Sequence, residues 1–329
     1  MHKQIQNLAH KILELNPEPI PKYLILRDIL EKDPKQLTEL KKQVLQSKWV
    51  IDILDEQREN GSWGRFHSQN TKLKQKYVTT EVALHRCAVM GLAKQDLPIQ
   101  KAIDYMEKVL QGNIVWEDGR EKSEAWDAGV AVITASTLAE WCPNHSLVLP
   151  IRMMWQDIVK ESFENSQYNP SLEVAAQQKY HHISSDFYYI GSLYAVRLLS
   201  TGKNEKEKQF SRDFEKVYLK WLWTRESGMG YVSQNRLADL LVEVTYKSIR
   251  SKLKALELLA GFSSTSSICQ DFIQWLCNNR EEDGLWDFGP KGAEKIELPL
   301  SENTRYKINR KIDYSVRILS ILHKVITNQ

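Results

Sequence analysis

Residues 57–64 read Gln57-Arg-Glu-Asn-Gly61-Ser-Trp63-Gly64, a turn-forming sequence that leads directly into a tryptophan. A second copy, Arg280-Glu-Glu-Asp-Gly284-Leu-Trp286, lies near the other end of the chain. Asn-Gly and Asp-Gly are strong turn dipeptides, because glycine tolerates positive φ and the preceding side chain can bond its own backbone. We therefore expect each tryptophan to fold back onto the helix that has just ended, in a supersecondary unit that the chain repeats.

The composition is that of an ordinary globular protein, with 42% apolar and 26% charged residues. The formal net charge of +3 is too small to predict nucleic-acid binding. No apolar run approaches the ~18 residues of a membrane span, so we predict no transmembrane segment. Four cysteines and no signal-peptide segment near Met1 predict a cytoplasmic location. Ten tryptophans and thirteen tyrosines stand out, and they indicate a large core or an aromatic pocket.

Charged amphipathic segments alternate with more apolar segments along the chain. The charged ones span 36–57, 98–111, 145–163, 208–225 and 265–280, and a loop with an aromatic residue follows each. Two of the second helices, 128–139 and 187–196, contain no charge, which predicts burial on all sides. The others begin near Thr80, Thr245 and Asp313. Alternation at about 50–60 residues predicts an all-α fold, an α/α toroid of five to six helical hairpins. We expect one domain over 1–329, with an N-terminal helical pair in 1–30 closing the toroid.

The turn also carries a family resemblance. A Gln followed after three residues by Gly-x-Trp, as at Gln57, Gly61 and Trp63, resembles the squalene-cyclase-like repeat of the terpenoid cyclase and protein prenyltransferase superfamily. Gly284 and Trp286 match the same repeat, with Arg280 in place of Gln. The resemblance implies an α/α toroid with a central cavity for an isoprenoid or other apolar ligand. The motif is structural in that superfamily, so it identifies a scaffold and not a reaction.

The catalytic motifs of related enzymes are missing from the sequence. Squalene-type cyclases use Asp-x-Asp-Asp as a strong acid, and ionising terpene synthases use Asp-Asp-x-x-Asp to hold magnesium; neither occurs here. Protein prenyltransferases bind zinc through Asp, Cys and His. Cys142 and His145 are the only close Cys–His pair, and two ligands do not make a metal site. We therefore predict neither a metal nor a cofactor, and leave open whether the protein is an enzyme.

Two aspartates near the predicted starts of inner helices are the candidate catalytic acids. Asp127 follows Trp126, and Asp186 comes shortly before Tyr188 and Tyr189. A carboxyl group desolvated among such aromatic rings would have a raised pKa and could act as a general acid. The three aromatic residues would then line the ligand cavity. The alternative is that each aspartate only caps its helix.

Arg86, Arg250 and Arg317 form a second candidate site, for ligand binding. Each lies four to six residues into a predicted inner helix, about one turn below the rim. Guanidinium groups at that depth could bind a diphosphate or carboxylate head group. The alternative is that they pair with acids of adjacent helices, such as Glu81 or Glu257.

Three functions remain open from the sequence. The first is a toroid that binds, and as an enzyme transforms, an apolar or isoprenoid-like small molecule in an aromatic-lined cavity. The second is a non-catalytic toroid that acts as a binding or protein-interaction module. The third is a polysaccharide-active α/α barrel, against which the Gln-x-x-x-Gly-x-Trp turn argues. The oligomeric state is not determined by the sequence.

Overall fold

The computed structural model describes residues 1–72, 74–120, 122–183, 189–202, 210–291 and 296–328. Within these ranges the chain is predominantly helical. Its β-structure there is one antiparallel pair of short strands, β1 (Phe163–Glu164) and β2 (Gln167–Tyr168). The prediction of an all-α protein is confirmed at this level. None of the described helices is both long enough and apolar enough to cross a membrane.

The helices follow one another with short connections. Their bounds are α1 (His2–Glu14), α2 (Pro19–Leu24), α3 (Thr38–Leu45), α4 (Lys48–Leu54), α5 (Thr80–Val89), α6 (Leu97–Leu110), α7 (Trp126–Trp141), α8 (Val148–Glu161), α9 (Pro170–His181), α10 (Leu193–Ser200), α11 (Arg212–Thr224), α12 (Tyr246–Leu259), α13 (Thr265–Ile268), α14 (Gln270–Asn278) and α15 (Lys307–Thr327). A π-helical turn (Ile25–Ile29) continues α2, and a 3₁₀ turn (Pro34–Leu37) precedes α3.

Five helices form the interior of the described structure: α5, α7, α10, α12 and α15. Each of them contacts the next in this order. All eight residues of α10 are buried, and the uncharged stretch predicted at 128–139 lies within α7. A helix that is buried on every side needs neighbours on every side. Helices α6 and α8 supply them by packing on α7, and α8 also reaches α10.

The two ends of the chain pack against each other. Helix α1 contacts α15 through a stripe that contains the buried residues Ile5, Leu8 and Ile12. The predicted N-terminal pair is thus present, although α2 begins at Pro19, inside a stretch that we expected to be a linker. Proline is tolerated in the first helical turn because the N–H groups there have no intrahelical partner.

The two Gly-x-Trp turns make the same contacts. Trp63 and Trp286 are fully buried, and each indole N–H donates back to the preceding helix, Trp63 to the carbonyl of Ile53 at 2.7 Å and Trp286 to that of Leu276 at 2.8 Å. The backbone N–H of each tryptophan donates forward to a hydroxyl of the next inner helix, at 2.9 Å and 3.1 Å. Each turn therefore joins an outer helix to the inner helix that follows it.

Gln57 and Gly61 add a contact to the neighbouring outer helix. Gln57 Nε2 donates to the carbonyls of Gly61 at 3.0 Å and Pro98 at 2.7 Å, which links the turn to the start of α6. Gly61 has φ +89°, and a Cβ there would lie 2.2 Å from the carbonyl oxygen of Lys101. A side chain at position 61 is therefore excluded by both conformation and space. Gly284 shares the positive φ, at +78°, but has open space around it.

Three features differ from the sequence-based expectations. Helix α9 was not predicted. Helix α10 begins at Leu193 instead of 187, and Ser192 caps it by accepting from the N–H of Ala195 at 3.3 Å. Asp313 lies inside α15 and does not start it. Its carboxylate instead accepts from the backbone N–H of Ser301 at 3.1 Å, so a tertiary contact uses the side chain that we expected to cap the helix.

Candidate functional site

The expected acid–aromatic site is not supported by the placement of its described members. Asp127 has a side chain that is 82% exposed and lies 3.4 Å from Arg120, so it lacks the burial that a raised pKa requires. Trp126 packs edge-on against Trp116, with ring centroids 6.0 Å apart. Asp186 and Tyr188 lie outside the described residues.

Tyr189 is engaged in its own loop. Its hydroxyl accepts from the backbone N–H of Gly230, and the Arg225 guanidinium lies 4.4 Å from the centre of its ring. Trp221 flanks the same guanidinium on another side, at 4.6 Å. Tyr189 thus holds a cation of the protein itself, by the cation–π interaction that we expected it to offer to a ligand.

The predicted arginines are buried and already partnered. Arg86 is fully buried and donates to the carbonyls of Ile296 at 3.2 Å and of Pro299. Arg317 lies 3.5 Å from Glu257, as the alternative interpretation of these arginines expected. Residues 296–301 run between the inner helices, and they are the segment that Arg86 holds.

Glu297, in this segment, is the acid on which several cations converge. Its side chain is fully buried, with Arg250 Nε at 3.0 Å from one carboxylate oxygen and Lys254 Nζ at 3.8 Å from the other. Burial by itself would raise the pKa of Glu297, but the charges of Arg317, Lys254, His85 and Arg250 outweigh burial and lower it well below its usual range. The anion at this point of the interior is therefore a side chain of the protein.

Glu140 on α7 extends this charged interior. Its Oε1 lies 3.1 Å from Nδ1 of His85 on α5. Burial would raise the pKa of Glu140, yet His85, Arg197 and Lys324 together lower it to about 2. The interior of the inner helices therefore carries a positive potential strong enough to keep a buried carboxylate ionised.

We expect acid to destabilise the fold through Glu140. The pKa of Glu140 falls from 4.5 to about 2 on folding, so the unfolded chain binds this proton more tightly. The stability from this carboxylate is complete above the unfolded value and is lost as the pH falls through the folded one. The shift corresponds to about 3 kcal/mol. Urea unfolding of Glu140→Gln should therefore show a smaller loss of stability between about pH 5 and pH 2 than the unaltered protein. Equal losses would contradict the assignment.

Asp313 has the opposite sign and is the background of that measurement. Burial raises its pKa to about 6, against its hydrogen bonds from Ser301 and Leu300 and the charge of Arg86. Its contribution to stability therefore falls as the pH rises from its unfolded value towards 6. Both proteins in the comparison contain Asp313, so the difference between them reports Glu140.

A histidine, a glutamate and two tyrosines meet where α5 and α10 begin; we call His67, Glu81, Tyr194 and Tyr231 the His67 cluster. His67 Nδ1 lies 2.9 Å from Glu81 Oε1 and 3.0 Å from the Tyr194 hydroxyl. The Tyr194 hydroxyl donates to the same glutamate oxygen at 3.2 Å. Tyr194 is 1% exposed. The other oxygen of Glu81 is buried and accepts no hydrogen bond from the described chain.

Asp118 holds the loop that presents His67. Its carboxylate accepts from three successive backbone N–H groups, those of Phe66 at 2.6 Å, His67 at 3.0 Å and Ser68 at 2.5 Å. The carbonyl of Phe66 in turn accepts from the N–H of Glu81 at 3.2 Å. These bonds fix the backbone of His67 relative to the first turn of α5, so the imidazole and the carboxylate meet without relying on flexible side chains.

Tyr231 covers the cluster in an unusual backbone conformation. Its φ is +63° and its side chain is 64% exposed. Its ring centroid lies 6.0 Å from that of His67 and 5.5 Å from that of Tyr194. The N–H of Leu193 donates to the carbonyl of Gly230 at 3.2 Å, which ties this loop to the start of α10. A bulky residue in the left-handed region costs about 1–3 kcal/mol, and such strain concentrates at functional sites.

The sequence analysis did not find this cluster. Its members come from four separate parts of the chain, and no local motif marks them. One available signal was the position of His67, four residues after Trp63, where the repeat leads towards the start of an inner helix.

No group of three potential metal ligands of the His, Cys, Asp and Glu types gathers in the part of the chain that the structure describes. Comparison of the chain with protein-family models, curated proteins and solved structures finds no match. The functional argument therefore depends on the geometry of the site.

Proposed function

We propose that this chain is an α/α toroid of the terpenoid cyclase and protein prenyltransferase type that binds an apolar, isoprenoid-like ligand at the His67 cluster and acts on it by general base catalysis. The ordered contacts of α5, α7, α10, α12 and α15, together with the packing of α1 on α15, support a ring of helices that closes on itself. The repeated Gly-x-Trp contacts support the same arrangement.

The observation that carries the catalytic part is the hydrogen bonding of His67. A carboxylate oxygen only accepts hydrogen bonds, so the 2.9 Å contact with Glu81 places the imidazole proton on Nδ1. In the neutral ring, Nε2 then bears the lone pair and is the basic nitrogen. Glu81 both orients the ring and stabilises the imidazolium that forms when Nε2 takes a proton, which is the task of the acid in a hydrolase triad.

Base chemistry fits these groups better than alkene protonation. Protonating an alkene requires an acid far stronger than an imidazolium or a phenol, and Asp-x-Asp-Asp does not occur in the chain. An oriented imidazole can instead remove a proton from a hydroxyl group or an activated C–H group. The rings of Tyr194 and Tyr231 offer aromatic surface beside it for the apolar part of a ligand.

The first test is native mass spectrometry of the purified protein, with organic extraction of any bound lipid. It is followed by incubation with farnesol, farnesyl diphosphate and geranylgeraniol and by product analysis. We expect a bound isoprenoid and turnover that rises with pH to a plateau, as for a base that must be deprotonated.

We expect His67→Gln to lower this turnover by about 10²–10⁴-fold, the usual contribution of a general base. His145→Gln is the matched control, because His145 also pairs with a glutamate, Glu107 at 2.9 Å, but does so between outer helices. Turnover that persists in His67→Gln, or a protein that binds no isoprenoid, would refute the proposal.

A further inference from the structure

A second cavity, of about 390 Å³, lies at the opposite ends of the inner helices. Its wall includes the last turns of α5 and α7, with Val89 and Trp141, and the last third of α15, with Lys324. The His67 cluster instead lies at the first turns of α5 and α10. We call this second space the C-terminal cavity. Its volume is within the range of small-molecule sites, about 300–1,000 Å³.

The charges of the C-terminal cavity are balanced. Four cations and four acids line it: Arg27, Lys94, Arg317 and Lys324, and Asp28, Glu140, Glu257 and Glu297. Arg27 and Asp28 bind each other through two hydrogen bonds, so that pair is self-contained. Three charges of each sign remain. Lys94 and Lys324 are exposed, and neither forms an ion pair with an acid of the described chain.

Buried polar atoms of both kinds face this space without hydrogen-bond partners in the described chain. The donors are Arg317 Nη2 and the indole N–H of Trp141, whose residues are only 7% and 8% exposed. The acceptors are one carboxylate oxygen from each of Glu140, Glu257 and Glu297. A buried polar group without a partner is costly, so the contents of the cavity must supply both donors and acceptors.

These requirements restrict the ligand class. A polyanion would face three carboxylates, and a polycation would face Arg317 and the two lysines. Like charges at such distances repel strongly where water is excluded. A molecule with one negative and one positive group can pair with both sets. Leu24, Val89 and Leu92 supply an apolar part of the wall.

We propose that the C-terminal cavity is a binding site for a small zwitterion with an apolar side chain, that is, a free apolar amino acid. Its carboxylate pairs with Arg317 and the indole N–H of Trp141, and its ammonium group pairs with the glutamates. The positive potential that lowers the pKa of Glu140 keeps that glutamate charged for the ammonium group. This site is independent of the base chemistry proposed for His67.

The test is isothermal titration calorimetry of the full chain with three probes of similar size. L-leucine carries both charges, 4-methylpentanoate only the carboxylate, and 3-methylbutylamine only the ammonium group. We expect L-leucine to bind at least about tenfold more tightly than either single-charge analogue, because each lost charged hydrogen bond weakens binding by about that factor or more. An analogue that binds as tightly as L-leucine would overturn the zwitterion assignment. Failure of L-leucine to bind, as in a cavity that holds water only, would overturn the site.

Two variants test the location without removing a buried charge. Trp141→Phe keeps an aromatic ring and deletes the indole N–H, and Lys324→Gln removes an exposed ammonium group. We expect Trp141→Phe to weaken L-leucine binding about tenfold and Lys324→Gln to weaken it less. Trp116→Phe is the matched control, because its indole N–H is also buried and has no hydrogen-bond partner in the described chain, but lies outside this cavity. Equal effects of Trp141→Phe and Trp116→Phe on affinity would overturn the placement.

Discussion

Replacement of Glu297 by alanine is expected to lower the free energy of unfolding by about 3–5 kcal/mol. The fully buried carboxylate is the shared partner of Arg250 and Lys254, and it lowers the local cost of burying Arg317. Its removal leaves these cations facing one another in a space that excludes most water. Uncompensated buried charge is among the most destabilising changes known for a single side chain.

Urea unfolding at neutral pH measures this effect, and Glu226→Ala is the control. Glu226 is 88% exposed and lies 3.5 Å from Arg236, so its loss should change stability by about 1 kcal/mol or less. The double variant Glu297→Ala, Arg250→Ala should be less destabilised than the sum of the single variants, because the second change removes one of the unpaired charges. Additive effects, or a small effect of Glu297→Ala, would show that the cations do not depend on this acid.

Replacement of Trp63 by alanine should have a comparable cost, about 3–5 kcal/mol. The ring is fully buried, and its N–H donates to the carbonyl of Ile53 at 2.7 Å. Alanine leaves a cavity between α4 and the start of α5 and leaves that carbonyl without its donor. Trp63→Phe keeps most of the packing and loses mainly the hydrogen bond, so we expect a smaller cost of about 1–3 kcal/mol.

The second turn provides an internal comparison for this prediction. Trp286 is equally buried, and its N–H donates to the carbonyl of Leu276 at 2.8 Å. Thermal and urea unfolding of Trp286→Ala and Trp286→Phe should therefore give the same order of effects as at Trp63. A large cost at one turn and a negligible cost at the other would mean that the two turns are similar in geometry but not in their contribution to stability.

The arginine constellation acquires a different meaning in the structure. Arg86, Arg250 and Arg317 do approach a common region, as their matching depths in the predicted inner helices suggested. The group that they meet is the segment 296–301, with Glu297 as the anion. A site for an added ligand is better sought where buried polar atoms lack partners, as at the C-terminal cavity, or where acid–base groups are oriented, as at His67.

Local features of this protein were accessible from the sequence alone. The turns at Gly61 and Gly284, the backward fold of Trp63 and Trp286, and the burial of 128–139 depend on residues within about ten positions of one another. Backbone conformation and helical periodicity are short-range properties, so a single chain displays them. The N-cap at Thr245 belongs to the same group, since a capping side chain and its acceptor N–H are three residues apart.

Only the tertiary structure determined which side chains meet. His67, Glu81 and Tyr194 converge within 3.2 Å although they are distant in the chain, and Asp127, beside an aromatic residue in sequence, is exposed to solvent. Asp313, a good helix-capping residue by type, lies within α15 and binds another segment. The strength of an electrostatic contact depends on distance and desolvation, and both are set by helix packing between residues that no local pattern connects.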